Sequence, residues 1–155
     1  MHVIRRASGD DLVRLFDLEK AASTAGLAHI FGPDLPFPDD DVLARWRLVL
    51  DEPGMTVLID EEAARPVGYA AFADGWLRHF GIDPAWWGTG RASVLHARAL
   101  ADMAAAGATT TYLWVLVDNR RARAFYRREG WEETAIRESE VFAPYPEKLQ
   151  MARRR

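Results

Sequence analysis

The segment Ile82-Asp83-Pro84-Ala85-Trp86-Trp87-Gly88-Thr89-Gly90-Arg91-Ala92-Ser93 constrains this chain more than any other. An apolar stretch, Trp76 to Asp83, runs into Pro84; Gly88 and Gly90 follow; then Leu95, Ala99 and Met103 recur at helical spacing up to Gly107. That order demands a strand feeding a helix, from about Ala92 to Ala106, through a tight glycine-rich loop. Such a loop suits an anion. Glycine lets the backbone approach without a Cβ in the way, and the free N–H groups and dipole at a helix start favour negative charge. The segment lacks the Gly-Lys-Ser/Thr ending of a nucleoside triphosphate loop and the three-glycine dinucleotide spacing. Taken alone, Gly-Thr-Gly is equally compatible with an ordinary strand-to-helix turn.

Periodicity places the other elements around this unit. Val3 to Arg6 reads as a short strand, and Ser8-Gly9-Asp10-Asp11 caps a helix with the stripe Leu12, Leu15, Phe16. Residues 26 to 38 carry Gly26, Gly32, Pro33, Pro36 and Pro38 and predict a long loop. A second helix follows Asp39-Asp40-Asp41, with Val42, Leu43, Trp46, Val49 and Leu50 on one face. Met55 to Asp60, Pro66 to Ala73 and Trp76 to Asp83 predict an antiparallel meander, its second turn marked by Asp74-Gly75. The run Thr109 to Val117 predicts a central strand buried on both faces. Asn119 caps a helix that reaches Glu129 with Gly130 behind it, and residues 131–139 and 147–153 close the chain as a strand pair.

At 155 residues and 49% hydrophobic content, one domain with a well-filled core accounts for the whole chain. A formal net charge of −3 gives no broad positive field, which argues against a nucleic-acid partner, and Arg153-Arg154-Arg155 reads as a solvated end. No cysteine is present, so disulfides, thiolate catalysis and most structural zinc sites are excluded, and no metal is expected. Neither a signal peptide nor a membrane span is legible, so a soluble cytoplasmic protein is expected.

The strand, Pro84 and the loop with Gly90 and Ala92 resemble motif A of the GNAT N-acetyltransferase superfamily. Leu113-Trp114-Val115-Leu116, Asn119, Ala122, Phe125-Tyr126 and Gly130-Trp131 resemble its motif B at the usual separation. The resemblance covers all but residues 24 to 50. It implies an α/β domain with a mixed, mostly antiparallel sheet, flanked by about four helices and splayed between the motif A and motif B strands. Acetyl-CoA would be the acyl donor, with its pantetheine lying in the split. Backbone groups of Phe80, Gly81 and Ile82 would pair with the pantetheine. The amides of Trp87, Gly88, Thr89, Gly90, Arg91, Ala92 and Ser93 would cradle the pyrophosphate. Asn119 would contact the arm, and Tyr126 would serve the departing thiolate. A phenol with pKa near 10 can hydrogen-bond or protonate a thiolate whose acid has a pKa of about 8.5.

Two positions depart from the family pattern. Trp87 stands where Gln or Arg is usual, and Trp76 where many relatives carry a glutamate base. His79 is the first substitute for that base, with an ordinary imidazole pKa expected near 6.5; His29 is the second and Asp74 the third. The face that His79 shows depends on whether its strand carries a bulge. His29, Phe31 and Trp76, with Phe37 and Trp86, are candidates for an acceptor pocket for a small-molecule or peptide amine. A homodimer is left open. Two rivals remain: a non-catalytic acyl-CoA sensor on the same fold, and a partner-binding protein whose glycine loop is incidental.

Overall fold

The computed structural model describes residues 1–155, and its fold is mixed α/β. In chain order its elements are β1 (His2–Arg6), α1 (Leu12–Gly26), α2 (Ala28–Phe31), α3 (Asp39–Asp51), β2 (Thr56–Glu62), β3 (Arg65–Ala73) and β4 (Trp76–Ile82). They continue with α4 (Arg91–Ala105), β5 (Thr110–Leu116), α5 (Arg120–Arg128), β6 (Glu132–Ser139) and β7 (Glu147–Arg154). The seven strands form one sheet in the order β1-β2-β3-β4-β5-β7-β6. Only β4 and β5 run parallel; every other pair is antiparallel. None of the helices is long and apolar enough to cross a membrane.

Each face of the sheet buries a separate core. On one face α1 supplies Leu15 and Leu18, and α3 supplies Val42, Trp46 and Val49, against Ile59, Tyr69 and Ala71. On the other face Leu95, Ala99 and Met103 of α4, at the predicted spacing, meet Leu58, Leu77, Leu113 and Met151. The start of α1 is fixed by charge as well as by packing. The Ser8 N–H donates to Asp11 at 2.9 Å, and the Arg5 guanidinium reaches Asp11 at 2.8 Å, tying β1 to the helix entry. This pair holds the Asp11 carboxyl down at about 2, its Arg5 hydrogen bond being the largest cause.

Three expectations need correction. The segment 26–38 is not all loop: α1 runs to Gly26, and Ala28–Phe31 forms the short helix α2. Contacts distant in sequence hold it, namely His29 on the Asp118 carbonyl and Phe31 against Phe142. Strand β5 is not buried on both faces. Leu113 and Val115 are buried while Tyr112, Trp114 and Leu116 stay half-exposed, because no helix covers this half of the sheet on the α1 side. Arg153 and Arg154 are not a loose end but part of β7, with the Arg153 Nε donating to the Glu129 carbonyl at 2.8 Å.

The join between β4 and β5 governs the rest of the molecule. These strands pair only at Trp76↔Tyr112 and Leu77↔Leu113, and beyond them the sheet opens into a split. The β4 ladder with β3 also slips there, from Phe72↔Leu77 to Ala71↔His79, leaving Arg78 as an extra residue in a bulge. The bulge puts Leu77 and Phe80 on the α4 face. His79 and Gly81 are turned to the α1 face, against Trp46 and Tyr69.

Candidate active site at the sheet split

The free edge of β4 forms one wall of the split. The Asp83 N–H bonds to the Val67 carbonyl at 2.7 Å, and the same register sets Gly81 opposite Tyr69 and Phe80 opposite Ala70. Since bonded and non-bonded positions alternate, Gly81 spends its N–H and C=O on β3, whereas Phe80 and Ile82 aim theirs into the split. The expected pairing through all three residues is thus reduced to two of them. What Gly81 provides is the missing side chain: a Cβ there would stand 2.5 Å from the Tyr69 hydroxyl. The Ile82 carbonyl already accepts the Trp87 indole N–H at 3.0 Å.

At the end of β4, Asp83 caps a single 3-10 turn by accepting the Ala85 N–H at 2.9 Å. The chain then passes through Gly88 (φ 76°) and Gly90 (φ 86°), left-handed conformations that favour glycine. The first bond of α4 runs from the Val94 N–H to Gly90, so the N–H groups of Arg91, Ala92 and Ser93 point out of the helix start without an intrahelical acceptor. The side chains in this loop have other work. Thr89 donates to the Trp86 carbonyl at 2.6 Å, and Ser93 to Glu129 at 2.6 Å. Arg91 turns inward onto the buried Asp60 carboxylate at 2.8 Å, with its guanidinium 4.8 Å from the Trp86 ring. Only its backbone faces the loop.

Trp87 spans the mouth of the split. A Cβ on Gly26, at the end of α1, would stand 3.6 Å from its ring, and the Arg121 guanidinium of α5 stacks 3.3 Å from the ring centre. Burial, then Arg128, lowers the Arg121 pKa. Asn119 accepts the Ala122 N–H at 3.2 Å as the cap of α5, a role that uses its side-chain oxygen and not its NH₂.

Tyr126 stands on the α4 face of the split, 8% exposed. Its ring lies among Phe80, His96, Phe125 and Trp131. His96 is fully buried and accepts the Trp131 indole N–H at 2.8 Å. Burial alone raises the Tyr126 pKa. With no neighbouring charge drawing on it, the hydroxyl keeps its proton at neutral pH.

On the α1 face a cavity of about 340 Å³ opens where β4 parts from β5, lined by Trp76, Leu77, Arg78, His79 and Trp114. His79 packs against Trp46 with ring centroids 5.4 Å apart and planes inclined at 53°, and stands 3.4 Å from the Arg45 guanidinium through Nδ1. Its pKa is pushed down to about 3, by burial first and then by Arg45 and Arg78. The ordinary imidazole value expected for it does not hold. His29 and Phe31 lie apart from this cavity, His29 meeting the Asp118 carbonyl at 2.7 Å beside the start of α5. Asp74 sits exposed in the hairpin turn with φ 53°. Phe37 packs edge-on to Phe16 and Trp86 covers Arg91, so of the anticipated aromatic pocket only Trp76 lines the cavity. Its companion Trp114 is missed by a reading of β5 as buried on both sides. Period-2 alternation with Leu113 and Val115 is the signal that would have found it.

A split sheet with free N–H groups of a helix start at one end, a buried phenol on one face and a cavity on the other is a shape suited to an extended anionic ligand laid edge-on to a strand. The chain belongs to the acetyltransferase (GNAT) family, whose model matches residues 14–131. It is similar to an uncharacterized N-acetyltransferase of Methanocaldococcus jannaschii, 29% identical over 103 residues, 59% of this chain and 45% of that protein. An uncharacterized N-acetyltransferase of Mycobacterium bovis is 32% identical over 99 residues, 61% of this chain and 64% of that one. The match thus spans less than two thirds of the length of these relatives. Among solved structures, a GCN5-related N-acetyltransferase of Rhodopseudomonas palustris superposes with a TM-score of 0.83 at 16% identity, covering 99% of this chain and 95% of that one. The PaiA N-acetyltransferase of Thermoplasma acidophilum, solved with coenzyme A, gives 0.78 at 15% identity, covering 100% and 99%. At these identities the likeness concerns the fold.

Proposed function

We propose that the chain transfers an acetyl group from acetyl-CoA to a primary amine by direct attack in a ternary complex. One observation carries this reading: the unpaired β4 edge at Phe80 and Ile82 lies between the Tyr126 ring on one face and the cavity on the other. The residues present fit the donor. Free N–H groups at the start of α4 and the Arg121 guanidinium suit its phosphates, and the strand edge suits its amides. Bound there, acetyl-CoA supplies an activated acyl carbon.

The chain's own groups then divide the work. The cavity holds the amine, whose nitrogen lone pair forms the bond to the acyl carbon as the carbon–sulfur bond breaks. A β4 N–H turned into the split stabilises negative charge developing on the acyl oxygen. Tyr126 donates its hydrogen to the leaving sulfur, and the proton released by the amine returns to the phenol through solvent. His79, held down to about 3, is neutral at physiological pH and is a weak proton acceptor, so the acceptor enters as its free base. Thiol release from acetyl-CoA over an amine panel tests the reading, with mass spectrometry of the acetylated product. The low pKa of His79 also favours a second reading, a CoA-binding sensor. Stoichiometric CoA binding without thiol release for any amine would establish that one.

A further inference from the structure

We infer that the acceptor amine is carried on a flat apolar group together with a carbonyl or carboxylate, as in an aromatic α-amino acid or its amide. This rests on the chain being an N-acetyltransferase, and it names the substrate class of the same cavity.

The floor of the cavity is aromatic. Trp76 and Trp114 lie 6.0 Å apart with ring planes at 21°, and Tyr112 lies 5.2 Å from Trp76. Tyr112 and Trp114 alternate along β5 with the buried Leu113 and Val115, so they occupy the opposite, α1 face. None of the three rings belongs to either hydrophobic core, and all are half-exposed. They form an aromatic cluster that the fold itself leaves uncovered, with Trp76 and Trp114 lining the cavity at the end of the split where an acyl group held along Phe80 would arrive.

The walls are hydrogen-bond donors. Arginine has no acceptor atom, so in the contact between Arg45 and His79 the arginine donates and Nδ1 of His79 accepts. The remaining proton of the neutral ring is then on Nε2, which makes His79 a donor toward a ligand. Arg78 adds a guanidinium that reaches Glu52 through one nitrogen, at 3.1 Å, and keeps its other N–H groups. No carboxylate lines the cavity. The acidic groups nearby are already matched: Glu19 by Arg45, Glu52 by Arg78, and Glu140 by Lys148, whose ammonium stands 4.9 Å from the Trp114 ring. A polycation would meet cations and no free carboxylate there, whereas a carbonyl or carboxylate oxygen would meet two donors. The volume of about 340 Å³ accommodates one aromatic side chain and its amine.

The test uses the whole chain at saturating acetyl-CoA, with phenylalaninamide, phenethylamine and spermidine as acceptors and thiol release as the readout. We expect kcat/KM for phenylalaninamide to exceed that for spermidine by about tenfold or more. Trp114→Leu should lower that preference severalfold, mainly through KM, on the scale of one lost aromatic contact. His79→Ala should remove the preference for phenylalaninamide over phenethylamine, which lacks the carbonyl. Each preference is a ratio measured on one protein sample, so partial misfolding of a variant cancels. Preference for spermidine, or ratios unchanged in both variants, would overturn the substrate class while leaving the acetyltransferase standing. Absence of thiol release with every amine would overturn both.

Discussion

Gly81→Ala is the sharpest structural test, because a single methyl group must displace a buried ring. The added Cβ would stand 2.5 Å from the Tyr69 hydroxyl oxygen, 2.6 Å from its Cζ and 2.8 Å from Cε1. Tyr69 is 5% exposed and wedged edge-on to Trp46 at 5.3 Å, so the ring has no free path away. Overpacking of this kind costs about 1–3 kcal/mol, offset by roughly 0.5 kcal/mol because alanine loses less backbone entropy than glycine. A net loss of about 1.5 kcal/mol corresponds to a fall of roughly 3–6 °C in Tm for a chain of this size. Differential scanning calorimetry supplies that number, and the double variant Gly81→Ala/Tyr69→Leu identifies its cause. Leucine shortens the side chain facing position 81, so the double variant should be more stable than the sum of the single changes by about 1 kcal/mol or more. Additive losses would refute the contact and, with it, the account of why this strand position is a glycine.

The other predictions concern the site and its titration. Tyr126→Phe should preserve CoA affinity and reduce turnover by about one to three orders of magnitude; unchanged turnover with chemistry rate-limiting removes the phenol from the mechanism. Gly90→Val should weaken CoA binding by calorimetry more than it lowers Tm, since φ 86° resists a β-branched residue in a loop where nothing lies within 4 Å of the new Cβ. Over pH 5 to 8 (about one unit or more clear of His79's value) the kcat/KM profile should move with the pKa of the acceptor amine, and a fixed inflection abolished by His79→Ala would contradict its depressed pKa. Burial holds His79 at about 3 and His96 at about 4, while in the unfolded chain both titrate near the ordinary imidazole value of 6.5. The unfolded chain therefore binds more protons between those limits. Stability should be full above about 6.5 and fall as the pH drops toward 4, and a pH-independent urea midpoint over that window would refute the assignment.

The sequence made the scaffold of the split readable because its signals are local. Asp74-Gly75 marks the hairpin into β4, the two glycines mark the loop, and Asn119 marks the start of α5. Each is a backbone requirement that a short stretch of residues states for itself. The environment of His79 is the opposite case. Its pKa follows first from burial and then from Arg45, 34 residues away on α3, and its orientation from a bulge that no residue type in β4 announces. The helix α2 was obscured by its flanking glycine and prolines, since the contacts that hold it come from residues 118 and 142. Strand β5 misled for a subtler reason: half-exposed tryptophan and tyrosine look in a sequence like core, and only their alternation with Leu113 and Val115 separates the two faces.

The two-residue seam between β4 and β5 divides the hydrogen bonding of the sheet into two ladders. Strands β1 to β4 share one continuous ladder, β5 to β7 another, and two register pairs join them. Amide protons of Phe80 and Ile82, which have no partner strand, should exchange with solvent far faster than those of Gly81 and Asp83 beside them. A ligand laid into the opening would bond to those edges and bridge the two ladders. Slowed exchange at Phe80 and Ile82 would then report occupancy of the seam residue by residue, without any chemistry having to occur.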